Sequence, residues 1–234
     1  MEKGIFKFKK FSCRHYSSSM RIGVDAVLLG AWADVSGSRI LDIGTGCGVI
    51  ALMCAQRNPE ASVLAIDIDE ASVIEASGNF ADSPWPSRIS AQLTDFLELS
   101  ADNHFDLIVS NPPYFSSGVD PKSSVRMQAR HEGSRSPATL LQRGRRLLAS
   151  GGRIALVLPW LRTDEVLQEA LQIGLSLRRR LDVRGNANTQ FKRSLLEFQA
   201  EPCESVVDTL TLEVAPNVPT EEHRNLCKNF YLYF

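Results

Sequence analysis

Four consecutive residues, Asn111-Pro112-Pro113-Tyr114, have the types needed to hold an amino group. The asparagine side-chain oxygen and the Pro112 carbonyl are both acceptors, so together they can take the two hydrogens of a planar NH2. Tyr114 offers an aromatic face to the ring that bears it. Two prolines in a row fix the backbone and cannot continue a central strand. The residues just before them, Phe105-Asp106-Leu107-Ile108-Val109-Ser110, are rich in strand formers. The pattern predicts a rigid corner at the carboxyl end of a buried strand, where open α/β sheets bind ligands. Asn-Pro is equally a common turn pair, and the glycine-rich stretch upstream separates the two readings.

That stretch is Asp42-x-Gly44-x-Gly46-x-Gly48, between an apolar run at 40–43 and a helical pattern at 49–57. Glycines there permit a tight turn and close backbone approach to a ligand. Asp67 ends the next apolar run, where a carboxylate suits a ribose diol. Asp69 is its rival, and Asp67 is preferred because it closes the run. Asp95 follows a third run, where a side-chain acceptor suits an adenine amino group. Three strand ends thus carry groups for one adenosine-containing ligand. Gly46, Gly48 and Ala51 also match the dinucleotide fingerprint, with Asp67 at about the right distance. That reading leaves Asp42 and Asn111 without a role. Each aspartate taken singly is equally a cap or turn residue.

The elements that must position these residues alternate along the chain. Strands are expected at 40–43, 62–67, 89–93, 105–110 and 153–158, and helices at 49–57, 70–80, 138–148 and 163–173. A turn entering a helix is expected at 23–32, with Asp25 as its cap. Further strands are expected at 177–183, 194–198 and 209–214, the last two antiparallel because no helix clearly separates them. Gly151-Gly152 reads as a helix breaker. Residues 116–137 are polar and too long for an ordinary connection, as in a lid or binding loop. Repeated strand-helix units predict a doubly wound, mostly parallel sheet with an antiparallel carboxyl-terminal strand.

A chain of 234 residues with 44% hydrophobic and 23% charged residues suits one soluble domain, expected here to span 1–234. No apolar run approaches the roughly 18 to 20 residues needed to cross a bilayer, and no secretory signal is expected from the amino terminus. The five cysteines form no C-x-x-C pair, which points to reduced thiols in a cytoplasm and to no metal site. The net charge of −1 hides an uneven distribution. Residues 1–24 carry six Lys/Arg and one acid, 60–110 one Arg and ten acids, and 120–200 fifteen Lys/Arg and seven acids. One positive face for a polyanion such as nucleic acid is a reading of that asymmetry, and solvated helix faces are another. Phe6, Phe8 and Phe11 lie among Lys7, Lys9, Lys10 and Arg14. Such interleaving suits base stacking, or a strand covering part of the core. The final run, Asn229-Phe230-Tyr231-Leu232-Tyr233-Phe234, reads as an edge or core strand more than as a platform for RNA.

The glycine turn, the acids after the second and third strands, and Asn-Pro-Pro-Tyr after the fourth together resemble the class I S-adenosylmethionine-dependent methyltransferases, specifically those acting on exocyclic or amide nitrogens. The motif is shared by adenine-N6 enzymes, guanine-N2 ribosomal RNA enzymes and glutamine methyltransferases of release factors. Residues 6–11 and Met20-Arg21-Ile22-Gly23-Val24-Asp25-Ala26-Val27-Leu28-Leu29-Gly30-Ala31-Trp32 resemble the opening of the bacterial tRNA(Val) adenine-N6-methyltransferases. Ala129-Arg130-His131-Glu132, the run from Lys192-Arg193 to Phe198, and the aromatic ending are similar to that family too. The resemblance covers nearly the whole chain. Val24, where threonine is expected, and Cys13-Arg14-His15-Tyr16 depart from it. The glutamine enzymes carry an additional helical domain for which this chain has no room.

The resemblance implies a Rossmann-like fold, S-adenosylmethionine as cofactor, and methylation of adenine 37 beside the tRNA anticodon. Asn111 and Pro112 would then hold the amine, and Tyr114, with Phe115, would stack on the flipped-out base. Gly44, Gly46 and Gly48 would lie against the methionine part of the cofactor, Asp67 would hold its ribose and Asp95 its adenine. Arg130 and His131 would contact phosphate or the anticodon loop, or else form a salt-bridged loop. Residues 1–32 would be an extension contributing to substrate recognition, and the protein a monomer.

Overall fold

In the strand Arg39–Ile43, Leu41 and Ile43 enter one hydrophobic core and Ile40 the other. In the strand Leu148–Pro159, Ala155 and Val157 face the second of these cores, while Ile154, Leu156 and Leu158 face the first. Strands buried on both faces belong to the middle of a layered α/β sheet. The computed structural model describes residues 4–18, 21–100, 104–112 and 136–234.

In chain order the described elements are β1 Ile5–Lys7, β2 Ser12–Arg14, α1 Val24–Trp32, β3 Arg39–Ile43, α2 Val49–Arg57, β4 Ser62–Asp67, α3 Glu70–Ala81, β5 Ile89–Leu93 and β6 Phe105–Ser110. They continue with α4 Pro137–Leu147, β7 Leu148–Pro159, α5 Thr163–Gln172, β8 Ser176–Arg184, β9 Arg193–Gln199, β10 Val206–Thr211, the small β11 Glu213–Ala215 and β12 Val218–Pro219, and α6 Glu221–Cys227. Eight strands form one sheet in the order β10-β8-β9-β7-β6-β3-β4-β5. Within it only β9 runs against its neighbours, β7 and β8. Residues of α1, α2 and the β1–β2 hairpin fill one core, and those of α4 and α5 the other.

The doubly wound expectation holds, and four local expectations are corrected. First, β10 does not pair with β9; it lies at the sheet edge beside β8, parallel to it. The strand order at the end of a sheet follows packing, which local sequence does not encode. Second, Gly151-Gly152 does not separate helix from strand, since β7 begins directly after α4. The register jumps from Phe105↔Leu148 to Leu107↔Arg153, so the glycines sit in a bulge, and a Cβ on Gly152 would crowd the Phe105 carbonyl. Third, Gly23 and not Asp25 caps α1. Asp25 lies in the first turn and pairs with Arg193 Nε at 2.5 Å. Fourth, the aromatic ending is no strand. It follows α6 in a turn, and Tyr231 and Phe234 pack with His223, Phe6 and Phe8. Lys9 Nζ donates to the carbonyls of Lys228 and Phe234, at 2.6 and 2.8 Å, tying the hairpin to the chain's other end.

Candidate active site

Parallel register brings the predicted residues to one edge. Ile43 pairs with Ile66 and with Ser110, and Asp67 pairs with Leu93. The residues that follow β3, β4, β5 and β6 therefore share the carboxyl-terminal edge, with Asn111 beside the glycine turn. Gly44, Gly46 and Gly48 take φ of +70°, +54° and +85°. Gly44 and Thr45 donate their N–H groups to the Ile66 carbonyl, at 2.9 and 3.0 Å. The Gly46 N–H donates to Asp67 Oδ2 at 2.9 Å, and the Asp69 N–H to Asp67 Oδ1 at 3.0 Å. Asp67 thus holds the turn while each carboxylate oxygen keeps accepting capacity. Asp69 is the cap of α3, accepting from the Ser72 N–H and hydroxyl. That division of labour favours Asp67 over Asp69 as the ligand-facing acid.

Among the described residues, a Cβ on Gly44 or Gly46 would meet no atom within 4 Å, so these residues leave space over both. Gly48 is different: its missing side chain is replaced by the Phe80 ring, which a Cβ there would strike. Its N–H is also taken, by the Thr45 carbonyl at 2.9 Å. Gly48 therefore also shapes and packs the turn.

Asp42 is completely buried. Thr45 Oγ1 donates to its Oδ2 at 2.6 Å, and its Oδ1 has no hydrogen-bond partner. Burial pushes its carboxyl up to about 7, against the opposing pull of the Thr45 hydroxyl and the Ala51 backbone N–H; the neighbouring Asp67 carboxylate raises it further. Asp95 accepts from the Leu97 N–H at 3.0 Å. Next to Asp67 and near Asp95 in sequence, Ile68, Leu93 and Leu97 are exposed apolar residues. They offer walls for a flat heteroaromatic ring, and sequence reasoning passed over them.

Asn111 Oδ1 is buried without a partner among the described residues. Just before it, Ser110 Oγ donates to the Ile43 carbonyl at 2.8 Å, locking β6 to β3 at the corner. Pro112 is buried beside it. Pro113, Tyr114, Phe115, the polar stretch through 135 and Ala129-Arg130-His131-Glu132 lie outside the described residues.

Two other side chains shape this edge without any sequence signal. Glu75 accepts from the N–H groups of Tyr16, Ser17 and Ser18, gathering that segment onto α3. Asn79 exchanges hydrogen bonds with the Arg14 backbone and donates to the Cys47 carbonyl at 2.8 Å. The hairpin is thereby joined to the glycine turn. The base-stacking reading of the amino-terminal aromatics is overturned, because Phe8 and Phe11 are buried in the core. The broad basic face is also reduced. Arg153, Arg162, Arg178, Arg179, Arg180 and Arg193 each pair with a carboxylate. Glu197, fully buried, takes both Arg178 and Arg179.

The methyltransferase small domain family model matches residues 24–173. Across its whole length the chain is 40% identical to the tRNA1(Val) (adenine(37)-N6)-methyltransferase of Bacteroides thetaiotaomicron, covering 99% of that relative. The chain belongs to this methyltransferase family. A relative of the same name from Vibrio vulnificus is 40% identical over 97% of this chain and 95% of its own length. Among solved structures, one described as a predicted O-methyltransferase from Agrobacterium tumefaciens is similar with a TM-score of 0.67 at 18% identity. It covers 88% of this chain and 96% of its own. The ribosomal protein L11 methylase of Lactobacillus delbrueckii is similar at 0.53 and 20% identity, over 74% of this chain and 76% of its own. These two show the fold alone. The methyltransferase cofactor is S-adenosylmethionine, and the residues present fit it: an unpartnered buried carboxylate oxygen at Asp42, open space over Gly44 and Gly46, and acceptors at Asp67 and Asp95.

Proposed function

We propose that this enzyme methylates the exocyclic N6 amine of adenine in tRNA, at adenine 37 of tRNA(Val). The observation that carries the chemistry is the buried, unpartnered Oδ1 of Asn111 at the strand end beside the glycine turn. The full-length similarity to relatives named for that substrate supports the polymer and the position.

S-adenosylmethionine supplies, when bound, an electrophilic methyl group on a sulfonium. Asn111 Oδ1 and the Pro112 carbonyl accept the two hydrogens of the adenine amine. Its lone pair is otherwise delocalised into the ring, and these two bonds favour a pyramidal nitrogen with the pair aimed at the methyl. The acceleration comes from positioning and electrostatics. The nitrogen becomes cationic on transfer and then sheds its proton, so no dedicated base is needed before attack. Tyr114 stacks on the flipped-out base in this reading. Asp67 holds the ribose hydroxyls, Asp95 the cofactor adenine, and Asp42 faces the cationic methionine end through the glycine turn. Residues 1–32 belong to the same unit and contribute to recognising the substrate. The partner is the anticodon loop, the working form a monomer and the place of action the cytoplasm. Among the described residues no helix is long and apolar enough to cross a membrane.

The position is tested by incubating unmodified tRNA(Val) transcript with enzyme and S-adenosylmethionine, then mapping the methyl group by nuclease digestion and mass spectrometry. One N6-methyladenosine at position 37, absent from a transcript with guanine there, is the expected result. Methylation elsewhere in the tRNA, or of ribosomal RNA guanine, contradicts it.

A further inference from the structure

The strand order divides the carboxyl-terminal edge into two halves. Asp42 and Asp67 lie at the ends of β3 and β4, and the glycine turn and Asp95 follow β3 and β5, on one side of Asn111. On the other side the same edge is formed by the end of β7, the start of β9 and the end of β8. Three side chains gather there. Trp160 and Phe191 lie with ring centroids 6.1 Å apart, and the Arg184 guanidinium sits 5.5 Å over the Phe191 ring. Arg184 is held in place by donating to Thr211 Oγ1 at 2.9 Å. The Trp160 backbone N–H donates to the Lys192 carbonyl at 3.1 Å, which fixes the two chain segments to each other. Both rings are half-buried, and the adjoining Leu161 is 87% exposed.

Charge on this half is also particular. Asp25 and Asp182 are matched by Arg193 and Arg180. The exposed Lys192 ammonium has no such partner among the described residues. Adjacent strands lie about 4.8 Å apart, so β7, β9 and β8 place this group roughly 5 to 15 Å from the β6 corner. With the proposed cofactor residues on the other half, this half is the one the described residues leave for a chain that delivers a base to Asn111.

We propose that Trp160, Phe191 and Arg184 form a stacking shelf for an unpaired nucleobase next to the target adenine, with Lys192 meeting the adjoining phosphate. Aromatic faces beside a free cation are how single-stranded nucleic acid is held without reading its sequence. The proposal rests on the RNA reading above and adds the surface that receives the RNA.

Binding of fluorescein-labelled tRNA(Val) transcript, followed by anisotropy, tests it. Phe191→Ala is expected to raise the tRNA Kd about tenfold, Phe191→Trp to restore it, and both to leave cofactor binding unchanged. Lys192→Ala is expected to weaken binding and to flatten its salt dependence. Because Phe191→Ala risks local misfolding, wild-type complexes are also crosslinked with ultraviolet light and the attached peptides mapped. Attachment within residues 160–162 or 189–193 is expected. Undiminished tRNA affinity in Phe191→Ala, or crosslinks confined to other segments, overturns the shelf. Methyl transfer is measured on the same samples. Wild type that crosslinks at the shelf but transfers nothing keeps the shelf and refutes the function. Wild type that methylates adenine while Phe191→Ala binds normally does the reverse.

Discussion

Asn111 Oδ1 and Asp42 Oδ1 are both buried acceptors without a geometric hydrogen-bond partner among the described residues. Leaving such a group unsatisfied costs about 1–3 kcal/mol, which a ligand donor relieves. For Asp42 the strain appears as a shifted titration, because burial favours the neutral acid and pushes the carboxyl up to about 7. The unfolded chain releases that proton near the ordinary aspartate value of about 3.9. Stability from the raised group is thus fully present below about pH 4 and is lost as pH rises to about 7. Urea unfolding should show wild type losing more stability than Asp42→Asn between about pH 5 and 8. The cofactor carries positive charge, so its affinity should rise over the same interval in wild type and stay flat in Asp42→Asn. Equal pH profiles for the two proteins would remove Asp42 from the site. Residue chemistry at Asn111, Asp42 and Asp67 was legible because strand, turn and polar group fall in one order along the chain. The exposed Ile68 and Leu97 were not, since single apolar residues at the surface are ordinary.

The glycine turn separates two jobs that one motif conceals. Gly44 has positive φ and open space; Gly48 has positive φ and a phenyl ring in its way. Gly44→Ala should cost about 1–2 kcal/mol of stability from backbone strain, while its methyl intrudes on the ligand and weakens cofactor binding more than tenfold. Gly48→Ala should add overpacking against Phe80 to the same strain, for about 2–5 kcal/mol in all. Calorimetry of unfolding and of cofactor binding on both variants distinguishes them; equal effects on the two readouts would place both glycines in the same role. At the level of elements, β4, β5, β6 and α2 were readable because apolar periodicity, glycine and proline all agreed on their limits. Helix α6 was not: it has seven residues and a Thr220 cap without the partner acid three residues on. The place of β10 was hidden as well, because pairing with β8 is a choice between distant segments.

Over the whole molecule, charge counted along the sequence overstates charge offered to a polyanion. Six arginines between 120 and 200 are already engaged by carboxylates, two of them by the buried Glu197. Stripping Glu197 of its arginines would leave an uncompensated buried charge, at about 3–5 kcal/mol, whereas the more exposed pairs, such as Arg162–Glu165, open cheaply. Few of these arginines should therefore be spent on phosphates. Affinity for tRNA should still fall between about 50 and 200 mM salt, with a log–log slope of about −3. A slope beyond about −8 would mean that the internal pairs open on binding. The two halves of the sheet edge meet at Asn111, and the proposed methyl transfer requires an amine to be held at that point. The most direct test supplies tritiated S-adenosylmethionine to wild type and Asn111→Ala, with unmodified tRNA and soluble protein mixed. Label released by ribonuclease, recovered as N6-methyladenosine and reduced about 10²–10³-fold in Asn111→Ala with cofactor binding intact is the expected result. Label released by protease, or undiminished transfer by Asn111→Ala, would contradict it.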